Sequence, residues 1–477
     1  MGPFGQLKAQ GAMIHRLCSD SRRCAPGVAF LAYPGESADG RKHIGDAIAR
    51  GASAVLWERE GFRWRDEWQL PNLSLRGLKQ QAGVLAHEFY GRPSESLWVC
   101  GVTGTNGKTS CSQWIAASLE NAAVIGTLGA GFPGALAEVA NTTPDALETQ
   151  FLLQKFRAEG ARAVAMEVSS HGLAQGRVNG VRFACALFTN LTHDHLDYHG
   201  SMAAYARAKA RLFETPGLET AVLNLDDALG AELARRLAGR VRTIGYSLSS
   251  QKPVGVDEFV VAGRMAGARL EIHSSWGKAG ATLRQVGRFN VANALGVLGC
   301  LVANGIRFEE AASTLGRLPP VPGRMQALGE EPLVVIDYAH TPDALENVLQ
   351  ALRPVAAARG GRLAVVFGAG GDRDPTKRPR MGAVAARLAD EVLVTSDNPR
   401  SEDPLAIISQ IEKGIPGKHE VEPDRARAIA KAIANAEAKD VVLVAGKGHE
   451  TYQEVKGRRA HFSDEEQVRA ALARRPQ

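Results

Sequence analysis

The 477-residue sequence lacks the features of a secreted, disulfide-bonded or membrane-spanning protein. Its six cysteines include no C-x-x-C pair, and in so long a chain we expect buried or free thiols in a reducing compartment. No apolar run approaches the length of a membrane span, nothing at the N-terminus resembles a signal peptide, and Gln6 departs from the myristoylation pattern. The sequence therefore predicts a cytoplasmic protein that does not insert into membranes.

The chain also has little excess charge of either sign. Lys and Arg number 57 against 51 Asp and Glu, so the formal net charge is only +6. The basic residues are dispersed and no aromatic-rich basic stretch accompanies them, which argues against a nucleic-acid partner. This mild excess fits an ordinary protein surface and a basic cleft for an anionic small substrate equally well.

Two clusters of breaker residues divide a chain that is too long for one core. Gly91-Arg-Pro-Ser94 precedes an apolar strand, and Leu318-Pro-Pro-Val-Pro-Gly323 is typical of a stiff linker. We therefore predict domains at 1–95, 96–321 and 322–477. Strand and helix patterns alternate in all three, and apolar runs at 161–168, 183–189 and 220–225 predict buried strands of a mainly parallel sheet.

The most informative segment is Val99–Ser110, where an apolar strand enters a Gly/Thr-rich turn, then Lys108-Thr109, then a helix predicted over 111–120. This is the layout of a nucleotide phosphate loop. Glycines let backbone N–H groups approach the phosphates, Lys108 can reach the β- and γ-phosphates, and the Thr109 hydroxyl can bind Mg²⁺. Val102 stands where the strict pattern has its first glycine. The alternative is a plain strand-to-helix turn, but Lys-Thr directly after the last glycine favours phosphate binding.

Two polar segments of the middle region contain residue types that bind metals. Glu167-Val-Ser-Ser-His-Gly172 follows a buried strand, and its carboxylate suits Mg²⁺, although a capping serine beside a surface glutamate is the alternative. Thr192–His199 contains three histidines and two aspartates, which suggests a zinc site. However, no Cys or His lies elsewhere at the spacing that would complete such a ligand set. A polar loop held by structural hydrogen bonds is the alternative there. Lys209, further on, has the pattern of an ordinary solvated lysine.

Four strand-like runs of the last third each lead into a polar loop. The runs are 333–336, 363–367, 391–395 and 441–444, and the loops are 337–343, 368–380, 396–400 and 445–450. Ligands of doubly wound sheets bind outside the carboxyl ends of the strands. We therefore expect these loops to form one shared site.

Motifs along the whole chain, in order, resemble those of the Mur ligases, which build the peptide of bacterial cell walls. They are Asp20-Ser-Arg22, Phe30, Asp39-Gly-Arg41, Gly104-Thr-Asn-Gly-Lys-Thr109, Asn141-Thr-Thr-Pro144, Glu167-Val-Ser-Ser-His-Gly172, Asp194-His-Leu-Asp197, Ala208-Lys209, Asp337-Tyr-Ala-His340, Gly371-Asp-Arg-Asp374, Asp397-Asn-Pro-Arg400 and Gly446-Lys-Gly-His-Glu450. Folylpolyglutamate synthases share the phosphate loop but not the N-terminal unit or the Asp397–Arg400 loop. The resemblance implies an α/β fold in three domains: a small α/β UDP-binding domain, a central P-loop ATPase domain with a mainly parallel sheet, and a C-terminal Rossmann-like domain.

The resemblance also implies a role for individual positions. The positions expected to contact ATP are Gly104, Thr105, Asn106, Gly107, Lys108, Thr109, Ser110, Asn290, Arg324 and Asp337. Those expected to contact the UDP-sugar-peptide are Ser19, Ser21, Glu36, Ser37, Ala38, Asn141, Thr142, Thr143, Ser169, Gln175 and Arg177. Those for diaminopimelate are Arg373, Asp397, Asn398, Pro399, Arg400, Gly446 and Glu450. Thr109, Glu167 and His195 match magnesium positions, and Lys209 matches a lysine that is carbamylated in the family.

The activity implied is an ATP- and Mg²⁺-dependent amide ligation by a monomer. It adds meso-diaminopimelate to UDP-N-acetylmuramoyl-L-alanyl-D-glutamate through an acyl phosphate. Arg400 and Arg373 are expected to bind the distal carboxylate of diaminopimelate, which lysine lacks, and Glu450 is expected to bind its ammonium. The loop of lysine-adding relatives lacks this arginine.

Three alternatives stay open. One is the same reaction with L-lysine as acceptor, against which Arg400 argues. Another is a nucleotide-driven switch ATPase, whose turnover would not depend on an amino acid. The third is a nucleic-acid-binding ATPase that uses the basic loop Arg373–Arg380, whose turnover DNA or RNA would stimulate.

Overall fold

The computed structural model describes residues 2–36, 38–249, 251, 253–266, 268–283 and 287–475. The N-terminal unit contains α1 (Pro3–Ala9), β1 (Arg16–Cys18), β2 (Val28–Ala32), α2 (Ile44–Ala49), β3 (Ala54–Glu58), β4 (Asn72–Leu75) and α3 (Leu78–Phe89). Its four strands form a parallel sheet in chain order. Every residue of β2 and β3 is buried, as expected for strands covered on both faces.

The central unit carries the phosphate loop between its first strand and first helix. Its elements are β5 (Trp98–Thr103), α4 (Lys108–Ser118), β6 (Ala122–Gly126), β7 (Gly129–Phe132), β8 (Ala135–Ala137), α5 (Ala146–Ala158), β9 (Ala163–Glu167), α6 (Ser170–Ala174), β10 (Cys185–Phe188), α7 (Leu196–His199), α8 (Met202–Ala210), β11 (Thr220–Asn224), α9 (Ala228–Leu237), β12 (Arg242–Ser247), β13 (Glu258–Ala266), β14 (Arg269–Ser274), β15 (Gly277–Thr282), α10 (Arg288–Ala303) and α11 (Phe308–Thr314).

One large sheet runs through this unit. Its strand order in the described residues is β15-β14-β13-β12-β11-β10-β5-β9-β6-β7-β8. The strands from β13 to β6 in this order are parallel, and antiparallel strands extend both edges. Helices α4, α10 and α11 pack on one face of the sheet, and α5 and α9 pack on the other. The ends of β5 and β9 therefore lie side by side, which brings the phosphate loop next to Glu167.

The C-terminal unit has the same layered construction. It contains β16 (Gln326–Leu328), β17 (Leu333–Asp337), α12 (Pro342–Arg359), β18 (Leu363–Phe367), α13 (Lys377–Leu388), β19 (Glu391–Val394), α14 (Pro404–Glu412), β20 (Glu420–Val421), α15 (Arg425–Asn435), β21 (Val441–Ala445), β22 (Tyr452–Val455), β23 (Arg458–His461) and α16 (Asp464–Ala473). The sheet order is β16-β17-β21-β18-β19-β20, parallel except for β16, while β22 and β23 form a hairpin. Helices α12 to α14 cover one face, and α15 and α16 cover the other.

The linker between the last two units is fixed to the phosphate-loop helix. Trp114 on α4 donates its indole N–H to the backbone carbonyl of Pro319 at 2.9 Å. The indole is buried, so this hydrogen bond holds the start of the linker against the central core.

The predicted α/β class and the mainly parallel central sheet are confirmed, with shifts at several element ends. The helix predicted over 111–120 begins at Lys108 and ends at Ser118, and Gly107, with a φ of +87°, is the non-helical residue directly before it. The long helical pattern predicted over 285–304 begins as α10 at Arg288, and residues 285 and 286 lie outside the described part of the chain. The antiparallel edges of the central sheet were not predicted.

The cysteines and the helices of the structure show no disulfide bond and no membrane span among the described residues. All six cysteines are described, and each is buried and free of disulfide bonds. Among the described helices, none combines the length and apolar character that crossing a bilayer requires.

Candidate active site

Glycines shape the phosphate loop through close contacts as well as through backbone freedom. A Cβ at Gly104 would lie 1.8 Å from Thr189 Oγ1, and a Cβ at Gly107 would lie 2.5 Å from Asn293 Oδ1. Asn190 braces the loop, because its carbonyl accepts from Thr105 N at 2.8 Å and its Oδ1 accepts from Asn106 N at 2.9 Å. These contacts leave the N-terminus of α4 pointing into the site, where it favours an anion.

Lys108 folds back over this loop. Its Nζ donates to the carbonyl oxygens of Gly104 at 2.9 Å and Thr105 at 2.8 Å. Burial lowers the pKa of Lys108, whereas the nearby Glu167 and Asp194 carboxylates raise it. The amine therefore lies at the loop in a position to meet a bound phosphate.

Glu167 is the buried carboxylate of the site, with a relative exposure of 1%. Its Oε2 accepts from the hydroxyls of Thr109 at 3.0 Å and Thr127 at 3.1 Å, and its Oε1 accepts from Thr127 N at 2.8 Å. Arg324, from the C-terminal unit, donates to Thr109 Oγ1 at 3.0 Å. These hydrogen bonds satisfy the carboxyl oxygens of Glu167 at a depth where an unpaired polar group would be costly.

The donor set around Thr109 fits Mg²⁺. A hydroxyl and a carboxylate are the hard oxygen ligands that this ion prefers, and Mg²⁺ usually combines one or two carboxylates with phosphates and waters. His195, the third predicted magnesium position, has its Nε2 3.3 Å from Asp194 Oδ2, and burial lowers its pKa to about 3. Its imidazole is therefore neutral and able to donate a lone pair.

Lys209 differs from the solvated lysine that its local pattern predicts, and that interpretation is wrong. It is 1% exposed, its Nζ donates to Gly104 O at 2.7 Å, and the ammonium lies 4.4 Å from the centre of the Tyr205 ring. Burial lowers the pKa of Lys209 well below its usual value, and the neighbouring Lys108 lowers it further. The reason is tertiary, since α8 packs directly beneath the phosphate loop.

A cavity of about 730 Å³ opens beside the phosphate loop, between the central and C-terminal units. Gly104 is at the base of the loop and not on the cavity wall. The predicted residues that line the cavity are Thr105, Asn106, Gly107, Lys108, Thr109, Ser110, Asn290, Arg324, Asp337, Asn141, Thr142, Thr143, Ser169, Arg177, Glu167, His195, Lys209 and Arg373. The structure thus brings together most of the predicted ATP positions, the three predicted magnesium positions and Lys209, and part of the UDP-sugar-peptide and diaminopimelate sets.

The predicted UDP-sugar-peptide residues extend from this cavity to the N-terminal unit. Arg177 donates to Thr143 O at 2.8 Å and to Gln175 Oε1 at 2.8 Å, and Gln175 donates to Glu36 Oε2 at 2.7 Å. Hydrogen bonds therefore connect the cavity wall with the N-terminal loop. Ser19, buried Ser21 and exposed Ala38 lie in that unit, away from the cavity wall, and Ser37 is outside the described residues.

The predicted diaminopimelate residues cluster at the carboxyl ends of the C-terminal strands, as expected of neighbouring parallel strands. Asn398 Nδ2 donates to Glu450 Oε2 at 2.8 Å, and a Cβ at Gly446 would lie 2.4 Å from Asp397 Oδ2. Arg400, with a φ of +53°, donates to Gly371 O at 2.8 Å. Pro399 and Arg373 belong to the same group of loops, because a Cβ at Gly371 would meet Pro399 O at 1.9 Å and a Cβ at Gly370 would lie 3.9 Å from Arg373 Cγ.

Sequence reasoning missed the buried charges beneath these loops. Arg425 and Asp464 form a fully buried ion pair, with Nε–Oδ1 and Nη2–Oδ2 distances of 2.7 Å. Arg425 also donates to the carbonyls of Ala445 at 3.0 Å and Ser396 at 3.3 Å, directly before two of the site loops. The two residues are 39 positions apart and carry no local signal, whereas the missed Lys447 lies inside a recognised motif.

Side chains from the two units also meet across the cavity. Asn106 Nδ2 donates to Asp343 Oδ2 at 3.2 Å, and His193 Nε2 lies 3.3 Å from Asp374 Oδ2. Asp337 is 7% exposed and accepts from Met325 N at 2.8 Å, and burial raises its pKa. The C-terminal unit therefore faces the phosphate loop.

A phosphate loop, a buried glutamate beside its threonine and a second α/β unit across the cavity define a P-loop nucleotide-binding protein. Three family models match the chain: "Mur ligase family, catalytic domain" at 13–90, "Mur ligase middle domain" at 102–301 and "Mur ligase, glutamate ligase domain" at 323–448. The chain belongs to the Mur ligase family. Each match falls inside one predicted domain, and the boundaries at 95/96 and 321/322 stay predictions.

Two curated relatives and one solved structure share one description. The UDP-N-acetylmuramoyl-L-alanyl-D-glutamate–2,6-diaminopimelate ligase of Chromobacterium violaceum is 50% identical over 98% of this chain and 97% of its own length. The ligase of the same description from Pseudomonas aeruginosa is 51% identical, over 97% of this chain and 95% of its own length. A solved structure of a ligase with that description has a TM-score of 0.66 and 36% identity, covering 96% of this chain and 95% of the other.

Proposed function

We propose that this chain uses ATP to join meso-2,6-diaminopimelate to UDP-N-acetylmuramoyl-L-alanyl-D-glutamate, a step in peptidoglycan precursor synthesis. The full-length similarity to ligases of that description supports the substrate pair. The proposal includes a monomer that works in the cytoplasm and binds no nucleic acid.

The observation that carries the proposal is the contact of the two units at the phosphate loop. Arg324 reaches Thr109 at 3.0 Å, and Asp343 accepts from Asn106 at 3.2 Å. A ligase of this type must hold a phosphate donor, a carboxylate and an amine together, and such positioning supplies much of the rate enhancement. A cavity walled by both units is suited to that task.

In the first step, an oxygen of the D-glutamate side-chain carboxylate attacks the γ-phosphorus of ATP. The bond to the β,γ-bridging oxygen breaks, which releases ADP and leaves an acyl phosphate. Lys108, the loop N–H groups and Arg324 stabilise the negative charge of the transferring group, and the contacts of Lys108 and Arg324 with the phosphate loop and its helix support this role. Phosphorylation is necessary because a carboxylate cannot expel oxide.

In the second step, the unprotonated amine of the acceptor attacks the acyl carbon. A tetrahedral intermediate forms and collapses, the C–O bond to phosphate breaks, and the nitrogen loses its proton. The products are the amide, ADP and inorganic phosphate. We assign no general base to this step.

Thr109, Glu167 and His195 are the residues that would hold Mg²⁺. When bound, the ion supplies charge neutralisation on the phosphates. We also propose that Lys209 is carbamylated: its neutral amine adds to CO₂, a proton is lost, and an anion replaces the cation. The buried position and lowered pKa of Lys209 favour this reaction, because only the neutral amine is nucleophilic.

The test is phosphate release from ATP and Mg²⁺ with UDP-N-acetylmuramoyl-L-Ala-D-Glu. It compares meso-diaminopimelate, L-lysine and no amino acid. We expect turnover only with diaminopimelate, together with the UDP-tripeptide as product. A preference for lysine would refute the role of Arg400 while leaving a ligase, and turnover indifferent to amino acids would indicate the switch ATPase.

A further inference from the structure

Lys447 is a fully buried cation at the end of β21, among the loops proposed to bind the acceptor. Its relative exposure is 0%, and its Nζ lies 3.1 Å from Asn398 Oδ1 and 3.0 Å from Glu450 Oε2. A buried ammonium is costly unless it is paired and hydrogen-bonded. Its place in the fold therefore depends on these two partners.

The three side chains form a closed ring of hydrogen bonds. Asn398 Nδ2 donates to Glu450 Oε2 at 2.8 Å, while Asn398 Oδ1 also accepts from Glu454 N at 2.9 Å. The amide of Asn398 is thus held in one orientation, with its NH₂ group toward the glutamate. Each member of the ring fixes the other two.

Both donors to Glu450 use the same oxygen, Oε2. Within the part of the chain that the structure describes, no hydrogen-bond donor reaches Oε1. The carboxylate is therefore anchored through one oxygen and keeps the lone pairs of the other. An anchored carboxylate with one uncommitted oxygen is suited to receive a ligand ammonium.

The surroundings show why the lysine is needed. Burial raises the pKa of the Glu450 carboxyl and the neighbouring Asp397 carboxylate raises it further, whereas Lys447 and the hydrogen bond from Asn398 lower it. Arg425, the other buried cation nearby, is already engaged by Asp464 at 2.7 Å. Lys447 is thus the cation that favours the ionised form of Glu450 against burial and the Asp397 carboxylate.

We propose that Lys447 is a positioning residue that holds Glu450 so that Oε1 binds the distal ammonium of the acceptor. This inference rests on the proposed function, because it takes the acceptor to be a diamino dicarboxylic acid. Lys447 does not touch the acceptor itself. It acts through Glu450 and sets selectivity for the distal amino group.

The test measures KM and kcat of the wild type and Lys447→Met with two acceptors. One is meso-diaminopimelate, and the other is 2-aminopimelate, which keeps the distal carboxylate but lacks the distal amino group. We expect the substitution to raise KM for diaminopimelate by roughly tenfold to a hundredfold, as for loss of a charge-assisted hydrogen bond. KM for 2-aminopimelate and for ATP should change less than about threefold.

Lys431→Met is the matched control, because Lys431 is half-exposed on α15 and pairs with Glu420 at 2.9 Å. It should leave all KM values unchanged. An equal loss with both acceptors in Lys447→Met would overturn the inference, since a merely structural lysine affects them alike. If the wild type itself does not use diaminopimelate, the proposed function fails instead.

A double variant covers the case in which Lys447→Met does not fold. Lys447→Met combined with Glu450→Gln removes both charges, so no unpaired carboxylate is left buried. We expect its KM for diaminopimelate to match that of Glu450→Gln alone within about threefold, because the lysine acts through the glutamate. A double variant that is much worse than Glu450→Gln with both acceptors would refute the inference.

Discussion

Breaking the Arg425–Asp464 ion pair should destabilise the C-terminal unit strongly. Both side chains are completely buried, and two hydrogen bonds of 2.7 Å join them. Removing one partner of such a pair leaves an uncompensated charge in the interior, which costs about 3–5 kcal/mol. For a unit of this size each kcal/mol lowers the unfolding temperature by roughly 2–4 °C, so Arg425→Met should lower it by roughly 10 °C.

A double variant separates the cost of leaving a buried charge unpaired from the cost of lost packing and hydrogen bonds. Arg425→Met combined with Asp464→Leu leaves no buried charge, so we expect it to be at least about 2 kcal/mol more stable than Arg425→Met alone. It should remain less stable than the wild type, because the carbonyls of Ser396 and Ala445 lose their donor.

Differential scanning calorimetry is the appropriate assay. All six tryptophans precede residue 277, so their fluorescence reports on the other two units. Arg425 also anchors the backbone just before Asp397 and Gly446, and the single variant should therefore raise KM for the acceptor more than KM for ATP. A cost below about 1 kcal/mol, or a double variant no more stable than the single one, would refute the reasoning.

Three further predictions concern the site. Gly126→Ala places a Cβ 2.2 Å from Glu167 Oε1, so the carboxylate must move and kcat should fall by roughly a hundredfold, while calorimetry shows a folded protein. Arg400→Met should raise KM for diaminopimelate by roughly tenfold or more and leave KM for ATP unchanged; equal effects on both would contradict the proposed role. Burial lowers the pKa of His449 to about 3, so the unfolded chain takes up a proton below about pH 6.5 that the folded chain does not. Above about pH 7 His449 does not lower the free energy of unfolding, whereas at pH 5 proton uptake by the unfolded chain lowers it by about 2 kcal/mol. His449→Gln should therefore flatten the dependence of the unfolding temperature on pH in this range, as thermal unfolding measured at several pH values would show.

Features with local chemistry were predictable from the sequence. The glycines and Lys108 of the phosphate loop act through backbone freedom and a helix start, which neighbouring residues encode. The polar loops after β17, β18, β19 and β21 were also recognisable, because each follows a short apolar run. The alternation of buried Leu270 and Ile272 with more exposed neighbours in β14 is a sequence signal for an antiparallel strand near the edge of the central sheet.

Features that depend on tertiary contacts were not predictable. Cys100, Cys185 and Cys300 meet because strand register pairs the first two and α10 crosses above them, across separations of 115 and 200 residues. Cys300 Sγ lies 3.9 Å from Cys100 Sγ and 4.0 Å from Cys185 Sγ, as closely packed buried thiols do. The burial of Lys209 under the phosphate loop has the same origin, since α8 carries no sequence pattern that says which loop it supports.

The hydrogen bond from Trp114 to Pro319 has a mechanical consequence. It pins the linker five residues before Arg324, so a rotation of the C-terminal unit would turn about a point beside the phosphate loop. Displacement in a rotation grows with distance from the axis. Arg324 lies close to this point along the chain and donates to Thr109 at 3.0 Å, so its contact with the phosphate-loop helix would be displaced little. The tether thus fixes the point about which the C-terminal unit would turn, and parts of that unit further from Pro319 would move more than Arg324.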